Sequence, residues 1–466
     1  MTQPHAELEL ADIQGLVARG YRDLRAASYA LLQIRDSAAA RGWVGTLSVT
    51  PANERPTHTA THLAVSASGL ERLGLAASTR GMFPLEFRRG MTTPHRRRIL
   101  GDSGANAPEQ WLWGGPATPD VDLILLLFAR DDAALAEHYS ALAAGFASGG
   151  VSEVGRLATM IDLDGKEHFG FADGISQPTI AGLSSRRDLP SNTIQPGEVI
   201  LGYRNEYGRF TNRPLVDPGE HASDVLAADV EASGKRDFGR NGSFVVFRQL
   251  AQDVRGFWRW VDQAAGNDSA RRMWLASKMV GRWPSGAPMT LAPDADDPLL
   301  ASANDFTYHH ADQHGFNCPI GAHVRRAHPR DSLDPDPGTE GSVAVNRRHR
   351  LLRRGREYGP PVDDAFSDAP ADDPERGLFF ICLVGNIARQ FELVQHTWLN
   401  SPKFGQLYAD PDPLVSNHAD GCTFTIPGEP IRQRYTNIPQ FVTVRGGGYF
   451  FLPGLKALQF LSNLRS

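Results

Sequence analysis

Four segments of this chain join an apolar strand pattern to a helix pattern, two in the first half and two in the second half. Residues 27–47 and 121–146 form the first pair, and residues 242–266 and 377–400 form the second. In each segment an apolar run is followed by apolar residues at helical spacing. Two strand–helix units in each half are typical of two βαββαβ repeats. We therefore predict an α+β fold of two tandem ferredoxin-like domains, with antiparallel β-sheets and peripheral helices.

The chain has 466 residues, which is too long for one small core, so two domains are expected. We predict an N-terminal domain at 1–165 and a C-terminal domain at 166–466. Two long loops rich in Pro, Gly, Asn and Asp fall in the second domain, at 175–240 and 330–342. Loops of this length usually carry function or wrap a domain. The strand pattern at 446–455 is expected to finish the second sheet.

Charge and hydropathy exclude several classes of partner. The formal net charge of −5 predicts no general affinity for nucleic acid. The longest apolar runs, 123–129 and 378–384, are far too short to span a bilayer, so no membrane partner is expected. The first residues carry no secretory or twin-arginine pattern, and three cysteines make no disulfide framework. We therefore expect a cytoplasmic protein.

A histidine-rich segment at 309–330 is a candidate metal site. Zinc is one interpretation, with His310, His314 and Cys318 as ligands, because His and Cys are its usual ligands. The spacing matches a zinc site only in part, since glycines and a proline interrupt any long helix. A second interpretation makes His323 the axial ligand of a haem. The small residues of "CPIGA" before it would let a flat macrocycle approach the backbone.

Two further stretches carry charged side chains that could serve chemistry. Asp173 lies between two glycines in "HFGFADGISQP", where it could cap a helix or face a ligand. Arg353 lies in "RRHRLLRRGREYG", whose pattern predicts a strand with Arg353 pointing opposite to Leu352. An arginine keeps its charge and offers five donors, so it suits a site where an anionic oxygen develops. For most of the basic residues around it, a solvated face or a phosphate patch is the alternative.

Taken together, these stretches resemble the dye-decolourising peroxidase family, from near the N-terminus to the end of the chain. Residues 170–174 match the GxxDG signature of that family. "CPIGAHVRRAHPR" is similar to its proximal histidine segment, and "RHRLLRRG" is similar to its distal arginine segment. The absent signal and the long chain resemble the larger bacterial cytoplasmic members. The run before Cys318 is richer in histidine than the family pattern, which leaves a second metal site near His309, His310 and His314 open.

The resemblance implies a cofactor and a role for each matching residue. Haem b (iron protoporphyrin IX) is implied in the C-terminal half, with His323 as the axial ligand of the iron. Asp173 is implied as the proton shuttle, and Arg353 as the group that stabilises the charge of the leaving oxygen. Leu378 and Phe380 are implied to narrow the pocket. The residues that follow the signature aspartate are expected to contact the cofactor as well: Gly174, Ile175, Ser176 and Gln177.

A carboxylate is expected behind the axial histidine, because such a histidine normally donates its other ring N–H to one. Two candidates follow His323 along the chain, Glu392 and Asp412. We favour Glu392, since its predicted helix would hold a carboxylate more rigidly than the proline-flanked turn at Asp412. A plain surface role for Glu392 is the alternative.

The function implied by the resemblance is a haem peroxidase that reduces H2O2 and oxidises bulky aromatic, phenolic or dye-type substrates through a ferryl intermediate. One alternative is a haem-binding or iron-release protein on the same fold. Another is a zinc-stabilised binding module that uses His310, His314 and Cys318. H2O2 and aromatic reducing substrates are the expected partners, and homo-oligomerisation is left open.

Overall fold

A computed structural model of the chain describes residues 7–160, 165–183, 189–418 and 421–465. The fold is built on one large mixed-length sheet with helices around it. The described strands are, in chain order, β1 Ala26–Ile34, β2 Thr59–Val65, β3 Leu123–Ala129, β4 Val151–Ala158, β5 Thr179–Ile180, β6 Thr193–Ile194, β7 Leu215–Val216, β8 Arg236–Asp237, β9 Ser243–Gln252, β10 Leu352–Arg353, β11 Arg356–Tyr358, β12 Gly377–Val384, β13 Phe424–Ile426, β14 Gln433–Tyr435 and β15 Val442–Leu452.

The described α-helices are α1 Gly15–Ala18, α2 Ser37–Thr46, α3 Ala67–Arg72, α4 Ala77–Arg80, α5 Leu85–Arg89, α6 Pro94–Leu100, α7 Asp132–Ala143, α8 Val254–Ala264, α9 Ser269–Val280, α10 His309–Asp312, α11 His323–Ala327, α12 Glu340–Arg347 and α13 Leu455–Ser462. Short 3₁₀ turns occur at Gly104–Asn106, Pro108–Gln110, Pro196–Glu198, Ser223–Val225, Pro298–Leu300 and Phe404–Gln406. Two π-helical segments follow β12, at Ala388–Glu392 and Val394–Leu399.

The large sheet contains the same strand order twice. In the N-terminal half the order is β4-β1-β3-β2, and in the C-terminal half it is β15-β9-β12-β10, with β11 also paired to β12. Every pairing in this sheet is antiparallel. Each half is therefore a βαββαβ unit with its first strand in the sheet centre, which confirms the predicted ferredoxin-like repeat. The two halves meet where β15 pairs with β2, at Phe451 opposite Val65.

All four predicted strand–helix units are present. They correspond to β1 with α2, β3 with α7, β9 with α8, and β12 with the π-helical segments. Their strands are buried almost throughout, as β3 illustrates with seven consecutive buried residues. Continuous apolar runs of this kind indicate strands covered on both faces. The strand predicted near the C-terminus is β15, which completes the second repeat.

The long loop predicted at 175–240 does wrap the fold. Its described part contains only two-residue strands and short 3₁₀ turns, yet Leu201, Val216, Leu226 and Phe238 are buried in the main core. That core and a second one both combine residues from the two halves. The two repeats therefore share their hydrophobic interior. The domain boundary at residue 165 stays a prediction. Within the described ranges, none of the helices has the length and apolarity needed to cross a membrane.

Gln14 fastens the place where the two repeats meet. Its side chain is buried, and its Nε2 donates to the carbonyl oxygens of Leu63 and Pro453, both at 2.9 Å. Its Oε1 accepts from the Leu63 N–H at 3.1 Å. Leu63 belongs to β2, and Pro453 directly follows β15, so one amide satisfies backbone groups from both repeats. Buried backbone groups that lose their partner are costly.

Replacing Gln14 by alanine is expected to lower the free energy of unfolding by about 2 to 4 kcal/mol, because three buried backbone groups lose their partner. Urea unfolding of the purified protein measures this change. The control is Gln110→Ala, because Gln110 is exposed and donates only to Gly104. Surface changes of that kind stay within roughly 0.5 kcal/mol. Equal stability of the two variants would contradict the role given to Gln14.

Candidate active site

One cavity in the C-terminal half brings together most of the predicted site residues. It lies between the face of the second repeat's sheet, the 167–176 segment and α11 with the residues near it. Loop residues of the N-terminal half, among them Asp102 and Asn106, reach into the same cavity. The predicted residues that line it are Asp173, Ile175, Ser176, His323, Arg353, Leu378 and Phe380.

The sheet wall of the cavity follows from strand periodicity. Leu378 and Phe380 of β12 line the cavity, whereas Phe379 and Ile381 between and beside them lie in a buried core. On β9, Leu250 pairs with Leu378 and Arg248 pairs with Phe380, so both project to the same side. Val442 and Val444 of β15 also line the cavity, so alternate residues of three neighbouring strands build one mostly apolar wall. Arg248 and Gln252 of β9 are polar exceptions, and Arg248 forms a buried ion pair with Asp102.

His323 is held by Asp412. The His323 Nδ1–H donates to Asp412 Oδ2 at 2.9 Å, and the Asp412 side chain is fully buried. Burial by itself lowers the pKa of His323, but the Asp412 carboxylate raises it above its ordinary value. Conversely, although burial raises the pKa of Asp412, His323 and neighbouring donors hold it below its ordinary value. With Nδ1 engaged, Nε2 is the nitrogen left to bind a ligand in the cavity.

The preference for Glu392 as the partner of His323 is wrong in this structure. Glu392 accepts hydrogen bonds from Arg96 and from the Tyr449 hydroxyl, the latter at 2.9 Å. The proline-flanked turn is predicted to hold a carboxylate less rigidly than a helix, but Asp412 Oδ1 accepts the backbone N–H groups of Leu414 at 2.9 Å and Val415 at 3.0 Å. This Asx turn makes the proline-flanked segment rigid. "DPDPLV" carries the pattern, which sequence reasoning could have used.

Asp173 and Arg353 form an ion pair inside the cavity. The Arg353 Nη1 donates to Asp173 Oδ1 at 2.6 Å. The Asp173 and Arg353 side chains are 38% and 29% exposed, and that surface borders the cavity. Burial raises the pKa of Asp173, but the Arg353 charge and hydrogen bond outweigh it, so the pKa lies below its ordinary value. The helix-cap interpretation of Asp173 is wrong, because turn and irregular structure follow it rather than a helix.

Arg353 adopts the predicted strand geometry. It ends β10, where Leu352 is buried in a core on the opposite side. Gln177 brackets the arginine backbone, since its Oε1 accepts the Arg353 N–H at 3.0 Å and its Nε2 donates to the Arg353 carbonyl at 3.3 Å. Gln177 and Gly174 are not among the residues that line the cavity, and their contact with the cofactor stays a prediction. Gly174 has a φ of 79° and donates its N–H to Asp173.

The zinc cluster does not form. Among the residues that the structure describes, no three His, Cys, Asp or Glu side chains come together as a metal site. His310 contacts the Gly338 carbonyl, and His314 packs against Phe316. Cys318 is buried with its thiol nearest to the Gly281 carbonyl. The residues considered for zinc therefore point in different directions.

Sequence reasoning missed several polar residues of the cavity. Arg282, His328 and Arg350 line the end near Ser176, and Glu167 lines the wall near Asp173. His328 and Arg350 lay within motifs already singled out, but their direction depends on tertiary packing. Arg282 follows α9, far from any motif, so nothing in the sequence marked it. Glu167 lies three residues before Gly170, where the signature motif begins.

Comparison with known proteins identifies the family. No protein-family model matches the chain. It is 31% identical to Peroxidase 2 of Mycetinis scorodonius over 491 residues, which cover 97% of this chain and 87% of that protein. The crystal structure of a decolorizing peroxidase from Auricularia auricula-judae is similar with a TM-score of 0.79 and 27% identity, over 98% of this chain and 100% of that one. A dye-decolorizing peroxidase in complex with 2,6-dimethoxyphenol matches with a TM-score of 0.76 and 25% identity, over 98% of this chain and 100% of that one.

The chain belongs to the dye-decolorizing peroxidase family. This confirms the resemblance found in the sequence, and with it the α+β fold of two ferredoxin-like repeats. The assignment to the larger bacterial cytoplasmic members of the dye-decolorizing peroxidases stays a prediction, because these relatives do not establish it.

Replacing Arg353 by leucine is expected to raise the pKa of Asp173, because burial then acts without the opposing charge. In the wild-type protein the ion pair stabilises the fold above the ordinary aspartate pKa of about 3.9. That contribution is lost as the pH falls through the lowered pKa of Asp173. NMR titration of ¹³C-labelled aspartate carboxyls measures the pKa, with Asp173→Asn assigning the resonance.

The matched variant is Arg353→Lys, which keeps the positive charge and is expected to raise the pKa of Asp173 less than leucine does. If Asp173 titrates at the same pH in the wild type and in Arg353→Leu, the ion pair does not control this carboxyl.

Proposed function

We propose that this chain is a haem b peroxidase that reduces H2O2 and oxidises bulky aromatic, phenolic or dye-type substrates. The observation that carries the proposal is that one cavity contains a carboxylate-backed histidine together with an aspartate–arginine pair. The first suits an axial ligand of iron, and the second suits proton transfer beside a developing negative charge. Membership of the dye-decolorizing peroxidase family supports the same conclusion.

The cavity fits haem on the side of His323. Asp412 accepts the Nδ1–H, so the neutral imidazole presents the lone pair of Nε2, which is the form that binds iron. The His323 side chain is 30% exposed although it lies inside the protein, and that surface borders the cavity. Around it the walls are largely apolar, with Phe380, Leu414 and Val415 among the lining residues. A flat apolar macrocycle suits such walls.

The cavity also fits the two propionate groups of haem. Arg282, His328 and Arg350 line the end near Ser176. Arg282 donates to the Gly286 carbonyl and the Ser176 hydroxyl, and Arg350 donates to the Ser176 carbonyl. Burial lowers the pKa of Arg282 to about 10 and, together with the surrounding arginine charges, lowers that of His328. Buried positive charge is costly without an anion, so a ligand with carboxylates would relieve it.

When bound, haem would supply a redox-active iron that accepts the oxidising equivalents of peroxide. Asp173 would take the proton from the near oxygen of H2O2 and give it to the far oxygen, which leaves as water. Its lowered pKa keeps the carboxylate ionised, and thus able to accept a proton, at acidic pH. Arg353 would stabilise the negative charge on the leaving oxygen with a fixed guanidinium.

Leu378 and Phe380 would keep the space around Asp173 and Arg353 small, so that H2O2 enters and larger molecules do not. Bulky aromatic substrates would then give up their electrons at the protein surface. The similar dye-decolorizing peroxidase in complex with 2,6-dimethoxyphenol supports a phenolic substrate class. Two one-electron oxidations of a phenol balance the reduction of one H2O2 to two waters. A cytoplasmic location is part of the proposal, since three buried free cysteines fit a reducing compartment.

Replacing His323 by alanine is expected to abolish stable haem binding, because the imidazole that Asp412 orients toward the cavity is then lost. The measurement is the Soret absorbance and the iron content of the purified protein after titration with haem. His314→Ala is the control, since His314 lies against Phe316 outside the cavity and should keep a full Soret band. A full Soret band in His323→Ala would refute the axial ligand.

Replacing Asp173 and replacing Arg353 should change the pH dependence of the rate with peroxide in different ways. Asp173→Ala is expected to lose about 10² to 10⁴ in the second-order rate with peroxide, and its residual rate should rise with pH as hydroperoxide arrives already deprotonated. Arg353→Leu is expected to lose about 10² to 10³ at every pH, because no species in solution replaces the missing charge. Stopped-flow mixing with H2O2 from acidic to mildly alkaline pH measures both. A flat profile for Asp173→Ala with recovery of Arg353→Leu would reverse the two roles.

A further inference from the structure

Asp173 stands at the base of a small hairpin formed by residues 165–173. The Asp173 N–H donates to the Gly165 carbonyl at 3.0 Å, and Lys166 forms a bridge with Ala172. Nearer the tip, the Glu167 N–H donates to the Phe171 carbonyl at 3.0 Å. The position of the Asp173 carboxylate therefore depends on how firmly this hairpin is held.

The carboxylate of Glu167 closes the tip of the hairpin from inside. Its Oε2 accepts the Phe169 N–H at 2.9 Å, and its Oε1 accepts the Phe171 N–H at 3.0 Å. A third donor comes from the sheet, since the Gln252 Nε2 donates to Glu167 Oε2 at 2.7 Å. Three donors converge on this carboxyl, which is an arrangement that favours the anion.

Two aromatic rings of the hairpin pack on α8. Phe169 packs on Phe257 of α8 with ring centroids 4.6 Å apart, and Phe171 stacks on Trp258 at 6.3 Å. Phe169, Phe171 and Glu167 all border the cavity, but the two rings pack on α8 whereas Glu167 bonds to β9 through Gln252. Glu167 is thus the polar link between the hairpin and the sheet wall of the site.

We propose that Glu167 is a positioning residue that holds Asp173 in the cavity through the backbone of the 165–173 hairpin. The inference rests on the proposed function, because Asp173 must act on peroxide for its position to matter. Among the described residues, the Glu167 side chain has no hydrogen bond to Asp173 or Arg353. It acts on Asp173 through the backbone of Phe169 and Phe171 and through the base of the hairpin.

The hydrogen bonds of the Glu167 carboxylate to the hairpin and to Gln252 are sensitive to pH in the neutral range. Burial raises the pKa of Glu167 to about 7, and the nearby charge of Asp173 adds to this effect although three donors oppose it. Among the other charged groups of these elements, His168 contacts the Tyr358 carbonyl, Arg353 pairs with Asp173, Arg248 of β9 pairs with Asp102, and Lys166 is exposed. The facing residues of β12 and β15, such as Leu378 and Val442, are apolar.

Protonation has a defined structural consequence. A neutral carboxyl must donate its own proton, and three of its neighbours are donors. The Gln252 Oε1 is buried without a partner among the described residues, so a flipped Gln252 amide could accept that proton. The Gln252 side chain then no longer donates to Glu167, and the charge-assisted bonds to the hairpin tip become neutral ones. Glu167 should therefore hold the hairpin most firmly above pH 7.

The test compares haem-loaded wild type with Glu167→Gln, an isosteric mimic of the protonated carboxyl. At pH 8 the variant should react with H2O2 about fivefold more slowly, the effect of replacing charge-assisted by neutral hydrogen bonds. At pH 5.5 the two rates should converge, because wild-type Glu167 is also neutral there. Glu137→Gln on the exposed face of α7 is the control and should match wild type at both pH values. A ratio that is the same at both pH values overturns the proposal.

A second readout separates this proposal from the proposed function. Hydrogen exchange of a peptide covering 166–172 should be faster in Glu167→Gln than in wild type at pH 8 and equal at pH 5.5, after correction for intrinsic exchange. Equal exchange at pH 8 would overturn the proposal that Glu167 holds the hairpin. If the haem-loaded wild type does not react with peroxide, the proposed function fails, while hydrogen exchange still decides whether Glu167 holds the hairpin.

If Glu167→Gln does not fold, Gln252→Leu replaces it, because this change removes one of the three donors. Its rate with H2O2 should fall less than that of Glu167→Gln, with the same pH trend. An unchanged rate would overturn the proposal.

Discussion

The hydrogen bond between His323 and Asp412 is the contact on which the site depends. A fully buried aspartate is stable as an anion only if donors surround it, and here the backbone of its own turn and the imidazole supply them. The same bond fixes the ring tautomer and leaves Nε2 for a ligand. Removing His323 would leave Asp412 Oδ2 without this donor, and removing Asp412 would leave the His323 Nδ1–H without this acceptor. One interaction thus ties the rigidity of the 412–415 turn to the ligand-binding nitrogen of α11.

The fold supplies the opposite side of the cavity by a different means. The C-terminal repeat turns one face of its sheet toward the cavity, and strand alternation puts Leu378, Phe380 and Leu250 there without any special loop. Arg353 comes from the short edge strand β10, and Asp173 comes from a hairpin that precedes the repeat. The positive charge of Arg353 lowers the pKa of Asp173 and keeps it ionised, although burial acts in the opposite direction. The proposed proton acceptor and the proposed source of fixed positive charge are therefore one ion pair.

Strand and helix patterns predicted the two repeats because buried strands and amphipathic helices are written in local sequence. Asp173, His323 and Arg353 could be placed because each lies in a short motif that resembles a known family. The partner of His323 could not, since local rigidity was judged from helix against turn, while the Asx turn at Asp412 made the turn the firmer element. Arg282 and Glu167 were missed because the direction of their side chains is set by contacts distant in sequence. Gly174 and Gln177 hydrogen-bond to Asp173 and Arg353, and their predicted contact with the cofactor stays a prediction.

The central claim is that this cavity turns over peroxide at the expense of a phenol, rather than only holding or degrading haem. The most direct measurement mixes haem-loaded protein with one equivalent of H2O2 and excess 2,6-dimethoxyphenol, then counts oxidised phenol against peroxide while the Soret band is followed. Two one-electron oxidations of the phenol are expected for each H2O2 consumed, with the Soret band restored. Loss of the Soret band with release of iron and no oxidised phenol would contradict it, and would favour a haem-binding or iron-release protein on the same fold.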